Sequence, residues 1–344
     1  MHTSIQHRLR KISEDQNKDD QHIIAELTSI VRDIEFREKS TLPSKKALDI
    51  FESHVNDIGM AGETIETGIS DFDECIPLVR GEYVVIGGRP AMGKTHLLMN
   101  LALNMSTKVP VLYCSFDLSE GLLMKRMVAA LSGISLNQMM LGALNRLELQ
   151  LIESVKAEFQ ARKLWISDQR TNSLQVLRER CRKHVEEDGV KVVFIDYIQL
   201  IGSDRYRHNR EMEMSYVSRE LKAIAREFNV LLIASSQLSR MVETRGGDKR
   251  PILSDLRESG SIEQDADKVF FLYRPEYYGF LQDEDGNTTD GITELILAKN
   301  RSGALERIQY ARDANYTRII SIGEHLARFS ISPDRLEELK DTPF

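Results

Sequence analysis

The sequence predicts an α/β fold: a mostly parallel sheet flanked by helices and preceded by short helices. Three observations carry that expectation. From Gly81 onward, short apolar segments rich in Val, Ile, Phe and Tyr alternate with longer helical patterns, as in a parallel sheet covered on both faces. A motif fitting GxxxxGK(S/T), Gly88-Arg89-Pro90-Ala91-Met92-Gly93-Lys94-Thr95, stands between the first apolar segment and the first helical pattern. A further apolar segment, Val192-Val193-Phe194-Ile195-Asp196, ends in a lone carboxylate.

Residues 1–60 read as a helical extension. Ile23, Leu27, Ile30, Val31 and Ile34 recur at helical spacing, and so do Leu48, Phe51, Val55 and Ile58 behind a Pro43-Ser44 start signal. Such stripes bury a face either on a core of their own or on a neighbouring subunit. Residues 61–330 form the main domain, with strand candidates Glu82–Ile86, Val111–Phe116, Val192–Ile195, Val230–Ser235, Val269–Tyr273 and Glu294–Ala298. Helical patterns such as Met214, Val217, Leu221, Ile224, Ala225 and Phe228 lie between them. Gln282–Asp290, rich in Asp, Gly, Asn and Thr, reads as an exposed loop, and residues 331–344 as an acidic tail.

Composition narrows the class. With 41% hydrophobic and 29% charged residues over 344, the chain has the apolar mass for a globular core. It has no signal-peptide pattern and no run of about eighteen apolar residues, so no membrane contact is expected. Cys75, Cys114 and Cys181 are odd in number and lack CxxC spacing, which points to a reducing cytoplasm and away from disulfides or zinc. A net charge of −7 excludes a surface coated in cations, so any nucleic-acid contact must come from local basic loops.

The glycine-rich motif carries the chemistry. Gly88 and Gly93 let the backbone curl so that successive N–H groups face phosphates, with Ala91 among the nucleotide contacts, and the helix beginning near His96 offers its positive end. Lys94 is placed to reach the β and γ phosphates of ATP, and the Thr95 hydroxyl to bind Mg²⁺. Asp196, where its strand emerges, suits the metal's water shell. Asp117, ending Val111–Phe116, fits two roles: orienting the attacking water, or capping a helix with Glu120 three residues on. Gln237, closing the Leu231–Ser235 strand, either senses the γ-phosphate or faces solvent.

Further segments bring a family into view. They are Thr67-Gly68-Ile69, Phe194-Ile195-Asp196-Tyr197-Ile198-Gln199-Leu200 and Ser235-Ser236-Gln237-Leu238-Ser239-Arg240. Asp248-Lys249-Arg250-Pro251, then Ser254 to Gly260, Ile262 to Asp267 and Ala298-Lys299-Asn300-Arg301-Ser302-Gly303 complete the set. With the phosphate loop they resemble the C-terminal motor domain of DnaB-type replicative DNA helicases, over Glu63 to Leu326. The resemblance implies a RecA-like P-loop ATPase fold and separates the chain from recombinases and circadian-clock ATPases of that fold. It implies an ATP-dependent helicase or translocase, needing Mg²⁺ and acting on single-stranded DNA as a homo-oligomeric ring, a hexamer, with a helicase loader as a candidate partner.

The same resemblance implies residue roles. Arg126 matches an arginine that contacts bound nucleotide, and His96 falls among the nucleotide contacts. Lys299 and Arg301 match a pair that reaches into the neighbouring subunit's ATP site, where a trans arginine stabilises charge on the transferring phosphoryl group. Arg257, Glu258 and Gly260 match positions that hold the single-strand backbone. Two basic segments agree: Arg205, Arg207, His208 and Arg210 after Asp196, and Arg240, Arg245, Lys249 and Arg250 after Gln237. Arg250 is accordingly expected to contact DNA.

Two departures qualify the match. The family's water-activating residue is normally Glu, one methylene longer than Asp117. Residues 1–60 are also too few for the family's helical collar domain, so primase recruitment is not expected, and Leu48–Ile58 corresponds to the linker helix. Asp117 motivates one alternative, a ring that hydrolyses slowly and acts as a DNA-bound scaffold; another, a RecA-like recombination ATPase, is disfavoured by the Arg257–Gly260 and Lys299–Arg301 segments. The end Asp341-Thr342-Pro343-Phe344 is similar to the partner-binding tip of single-strand-binding proteins, with a frayed tail as the other reading.

Overall fold

A computed structural model describes residues 46–54, 64–168, 172–203, 206, 209–256, 260–283, 286–313 and 317–323, together with residues 10, 12, 23, 27 and 30. The chain divides into two units, residues 1–62 and 63–344. In the first, Ile23, Leu27 and Ile30 are helical, with Ile30 buried. Helix α1 (Ala47–His54) leaves Leu48 and Phe51 exposed, and Val31, Ile34, Val55 and Ile58 of the expected stripes lie outside the described residues. So do the acidic tail and its Asp341–Phe344 tip.

In the second unit α2 (Ser70–Cys75) precedes β1 (Tyr83–Gly88) and α3 (Lys94–Met105). Strand β2 (Val111–Ser115) is followed by α4 (Glu120–Ser132), α5 (Leu136–Leu141), α6 (Arg146–Ala161) and β3 (Leu164–Asp168). Then come α7 (Leu174–Asp188), β4 (Val192–Asp196), α8 (Arg210–Glu227), β5 (Leu231–Gln237), α9 (Met241–Thr244) and α10 (Gly260–Asp265). Strands β6 (Lys268–Tyr273), β7 (Ile292–Asn300), β8 (Arg307–Arg312) and β9 (Ile319–Ile320) complete the unit. The six expected strands appear, with ends shifted by at most two residues.

Among the described residues nine strands make one sheet, in the order β3-β2-β4-β5-β1-β6-β7-β8-β9. From β3 to β6 the pairing is parallel, and β7, β8 and β9 add on antiparallel. Side chains alternate across each strand, so β1 feeds two cores at once. Val84 and Ile86 pack with Leu97, Leu98 and Leu101 of α3, while Tyr83 and Val85 pack with Val217 and Leu221 of α8. Apolar side chains on both faces force helices onto both, which is why the central strands read as continuous hydrophobic runs.

This topology gathers the carboxyl ends of β1, β2, β4 and β5 along one edge, where a crevice forms outside a parallel sheet. At the ends of the expected Gln282–Asp290 loop, Gln282 pairs with Thr288, and Thr289 is buried with its hydroxyl bonded to the carbonyl of Phe280.

Candidate active site

The phosphate loop runs from the end of β1 into the first turn of α3. Ala91 (φ 64°) and Gly93 (φ 96°) take left-handed backbone angles on either side of Met92. Such alternation turns successive N–H groups to one side and makes an anion-binding nest. Arg274 holds the curl from outside by donating to the Ala91 carbonyl at 2.9 Å, and Arg89, itself buried, by donating to the Leu238 carbonyl and Glu243, each at 2.8 Å. Lys94 Nζ folds into the loop, 2.8 Å from the Gly88 carbonyl and 3.0 Å from that of Arg89.

A cavity of about 410 Å³ is lined by Gly93, Lys94, Thr95, Asp117, Asp196 and Gln237, and it shares His96 and Arg126 with an adjoining space of about 300 Å³. The expected nucleotide-side residues are therefore together. Burial lowers the Lys94 ammonium to about 8, against the opposing pull of Asp196 and Asp117. Arg126 Nε and His96 Nε2 are sealed from water with no hydrogen-bond partner, and burial pulls His96 down to about 4, so it is neutral near pH 7. An unmet buried guanidinium N–H beside a desolvated ammonium is what an anionic ligand would satisfy.

Asp196 is buried at the end of β4, between β2 and β5. One carboxylate oxygen accepts from the Ser235 hydroxyl at 2.5 Å and the other from the Tyr113 hydroxyl at 3.2 Å. Two neighbours thus fix its orientation while a lone pair on each oxygen stays free. Mg²⁺ prefers oxygen donors and takes only one or two from protein, so Thr95 and Asp196 are a fitting donor set.

Asp117 is exposed and lines the phosphate cavity. Asp117 is not the cap of the helix that follows it. The N-cap of α4 is Ser119, whose hydroxyl accepts from the Leu122 N–H at 3.4 Å. The chain reaches Ser119 through a turn closed by Ser115, which donates to the Leu118 carbonyl at 2.6 Å and accepts from its N–H at 3.1 Å. That turn leaves the Asp117 side chain free of capping work.

Gln199, which sequence reasoning passed over, ties β4 to β5. Its amide donates to Ser236 Oγ at 2.9 Å and accepts from the Gln237 N–H at 3.1 Å, so the end of β5 is anchored while the Gln237 side chain stays exposed. The only signal for Gln199 was its place in the Phe194–Leu200 segment.

The remaining residues lie elsewhere. Lys299 pairs with Val269 in the sheet, and Val269 with Val85. Arg301 is tied to Asp267 by its backbone N–H at 3.0 Å, level with the start of β1. It sits about five residues, roughly 16 Å, down the sheet from Gly88. Lys299 and Arg301 are thus remote from their own chain's phosphate loop. Gly260 begins α10, and a Cβ added there would meet nothing within 4 Å, so packing inside the chain does not demand glycine. Arg257 and Glu258 lie outside the described residues, as do Arg205, Arg207 and His208; Arg210 and Arg240 are exposed.

Arg250 departs from the expected open basic loop. Its guanidinium forks onto buried Glu294 at 3.0 and 2.9 Å, pairs with Asp248, and lies 5.1 Å over the Tyr273 ring. A guanidinium so committed is a structural clasp between the segment after β5 and strand β7, so the expectation that it grips DNA is not met by this geometry.

Comparison with known proteins follows the same lines. The family described as DnaB-like helicase C terminal domain matches residues 64–321. A probable plasmid replicative DNA helicase of Chlamydia psittaci is 41% identical over 244 residues, 70% of this chain and 52% of that protein. The replicative DNA helicase DnaB of Geobacillus stearothermophilus is 37% identical over 273 residues, 78% of this chain and 59% of that protein. Among solved structures, one described as an ATPase domain aligns with a TM-score of 0.73 at 30% identity, covering 81% of this chain and 100% of that one. A DnaB-like replicative helicase, described together with its interactions with primase, aligns with a TM-score of 0.75 at 29% identity, covering 93% of this chain and 76% of that one. The chain spans a little over half the length of the curated relatives it matches. Among the described residues no helix is long and apolar enough to cross a membrane.

Proposed function

The chain belongs to the family of DnaB-like helicase C-terminal domains, and we propose that it is the motor of an ATP-driven helicase that moves along single-stranded DNA as a homo-oligomeric ring, in DNA replication in the cytoplasm. One observation carries this reading. The phosphate loop sits at one edge of the sheet, while Lys299 and Arg301 sit near the other, out of reach of their own chain's loop, which supports a role at a neighbouring copy's nucleotide.

In this reading the Ala91–Gly93 nest and Lys94 hold the β and γ phosphates of ATP, with Arg126 and His96 on the nucleotide's flank. Thr95 and Asp196 would hold Mg²⁺, which when bound neutralises phosphate charge. Asp117 orients and deprotonates the attacking water, and Gln237, anchored through Gln199, registers the γ-phosphate from the end of β5. Arg301 of one copy, its side chain partly outward, stabilises the transferring phosphoryl group of the next, with Lys299 beside it anchored at the end of α10. The exposed apolar side chains Leu48 and Phe51 of α1, Leu141 of α5 and Leu147 of α6 are surfaces that ring neighbours would cover.

DNA contact falls to the Arg257–Gly260 segment, with exposed Arg240 as a further cation. Gly260 is free of any packing demand from its own chain, which suits close approach by a strand backbone. The test is ATP turnover with and without single-stranded DNA, followed by displacement of a labelled strand from a forked duplex. The reading expects DNA to stimulate turnover and the strand to be released. Turnover indifferent to DNA would contradict it, and stimulated turnover without displacement would reduce it to a translocating or clamping ring.

A further inference from the structure

Asp267 lies between α10 and β6, buried among groups that the phosphate site does not use. Its Oδ2 accepts from the Tyr83 N–H, the first residue of β1, at 2.7 Å, and from Lys222 Nζ of α8. Its Oδ1 is 3.6 Å from the Arg301 guanidinium, and its carbonyl accepts the Arg301 N–H at 3.0 Å. The guanidinium also donates to the Gln264 carbonyl. Lys299 Nζ donates to the carbonyls of Glu263, Gln264 (3.2 Å) and Ala266 (2.8 Å), the C-terminal end of α10, where a helix dipole favours a cation. The Arg301 side chain is nevertheless 45% exposed, so part of it faces outward while its root is held.

A buried carboxylate is costly unless it is paired. The bond to the Tyr83 N–H needs only a neutral acceptor, which Asn would supply equally well. The negative charge answers two cations, Lys222 and Arg301. We propose that Asp267 is a positioning residue for Arg301: pinned to β1 and α8, it fixes the angle at which the arginine projects toward the nucleotide of the neighbouring copy. This rests on the shared-site reading above. Lys222 also ties the arginine's mounting to α8, the helix that begins at Arg210.

Asp267→Asn keeps the size and the acceptor for Tyr83 but removes the charge. Its rings are expected to bind a fluorescent ATP analogue as the unmodified protein does, because their own phosphate loops are intact. The kcat should fall by up to about 10²-fold at unchanged KM, the scale of a misplacement near 1 Å. Subunit mixing separates positioning from damage. Lys94→Ala subunits carry an intact arginine and should restore turnover at interfaces where an Asp267→Asn subunit supplies the nucleotide. Arg301→Ala subunits should restore none, and adding Asp267→Asn to Arg301→Ala should cost nothing further. Normal turnover by Asp267→Asn, absence of rescue by Lys94→Ala, or an added loss in the double variant would each overturn the proposal. If Asp267→Asn does not form rings, Asp267→Glu carries the same mixing arms, since it keeps the charge and misplaces it. Normal turnover by Arg301→Ala alone would mean that the shared site itself is wrong, and the proposal would fall with it.

Discussion

At the Gly88 end of the sheet, Lys94 is desolvated, and Arg126 Nε and His96 Nε2 are buried without partners. At the Tyr83 end, Lys268 pairs with Glu82, Lys222 with Asp267, and Lys299 with the carbonyls at the end of α10. The cations of the second end are nearly all paired within the chain, leaving the Arg301 side chain partly outward, although Ser261 Oγ and Asp265 Oδ2 of α10 are also buried there without partners. Buried polar groups without partners are expensive, so a fold tolerates them where a ligand completes them. In the proposed reading, the cations distinguish the end that would bind nucleotide from the end that would act on a neighbouring copy.

The largest way to break that comparison is Lys94→Ala, which should abolish hydrolysis with the fold intact, because no other cation occupies its place in the loop. Circular dichroism and an ATPase assay check this, and substantial turnover would remove the phosphate-site assignment. Next is Arg301→Ala, expected to keep nucleotide binding while losing roughly 10³–10⁵ in rate, the worth of a trans arginine in phosphoryl transfer.

Asp117 comes third. Asp117→Asn should lower kcat by at least about 10²-fold with nucleotide Kd unchanged. Asp117→Glu, which reaches one carbon–carbon bond further, should match or exceed the unmodified rate. Since Ser119 does the capping, an active Asn variant would take Asp117 out of the chemistry and turn attention to Glu120.

A pH titration sharpens the contrast at smaller scale. Lys94 sits near 8 in the free protein, against its ordinary 10.5, and phosphate binding favours its charged form. Nucleotide affinity should be level below pH 8 and weaken by up to about tenfold per unit above it, with proton uptake on binding. Calorimetry in buffers of different ionisation enthalpy measures that uptake, and affinity independent of pH from 7 to 10 would contradict the desolvated lysine. Stability moves the other way. Between about 8 and 10.5 the unfolded chain keeps the proton that the folded one has lost, so the nucleotide-free protein gains stability as pH rises through that window.

Arg250 gives the smallest effect on DNA. As a clasp on Glu294 it should leave the salt dependence of single-strand binding unchanged, whereas a lost phosphate contact lowers the log–log slope by about 0.7. Arg250→Ala should instead cost about 2–3 kcal/mol of stability by stranding a buried carboxylate, read by denaturant unfolding.

The central strands and the phosphate loop were legible in the sequence because their signals are local: apolar runs, a glycine-rich turn, a carboxylate at a strand end. β3 was missed because its residues are only half-buried at the sheet's edge, and β8 because Arg307-Ile308-Gln309-Tyr310-Ala311-Arg312 alternates like a surface segment. The Asp117 ambiguity came from two good capping residues two positions apart, settled by the Ser115 turn. The clasps of Arg250 on Glu294 and of Lys222 on Asp267 join residues more than forty positions apart, and nothing local announces them. The reach of Lys299 and Arg301 across to a neighbour came from resemblance alone.

The most direct test of the shared-site account is to mix Lys94→Ala and Arg301→Ala subunits in varying proportion and follow DNA-stimulated ATP turnover. Each alone is inactive on this account, and mixtures should recover activity that peaks at intermediate ratio, where interfaces pair one subunit's intact phosphate loop with the other's intact arginine. Turnover that stays at the level of the inactive parents at every ratio, in rings shown by mass to contain both subunits, would contradict it.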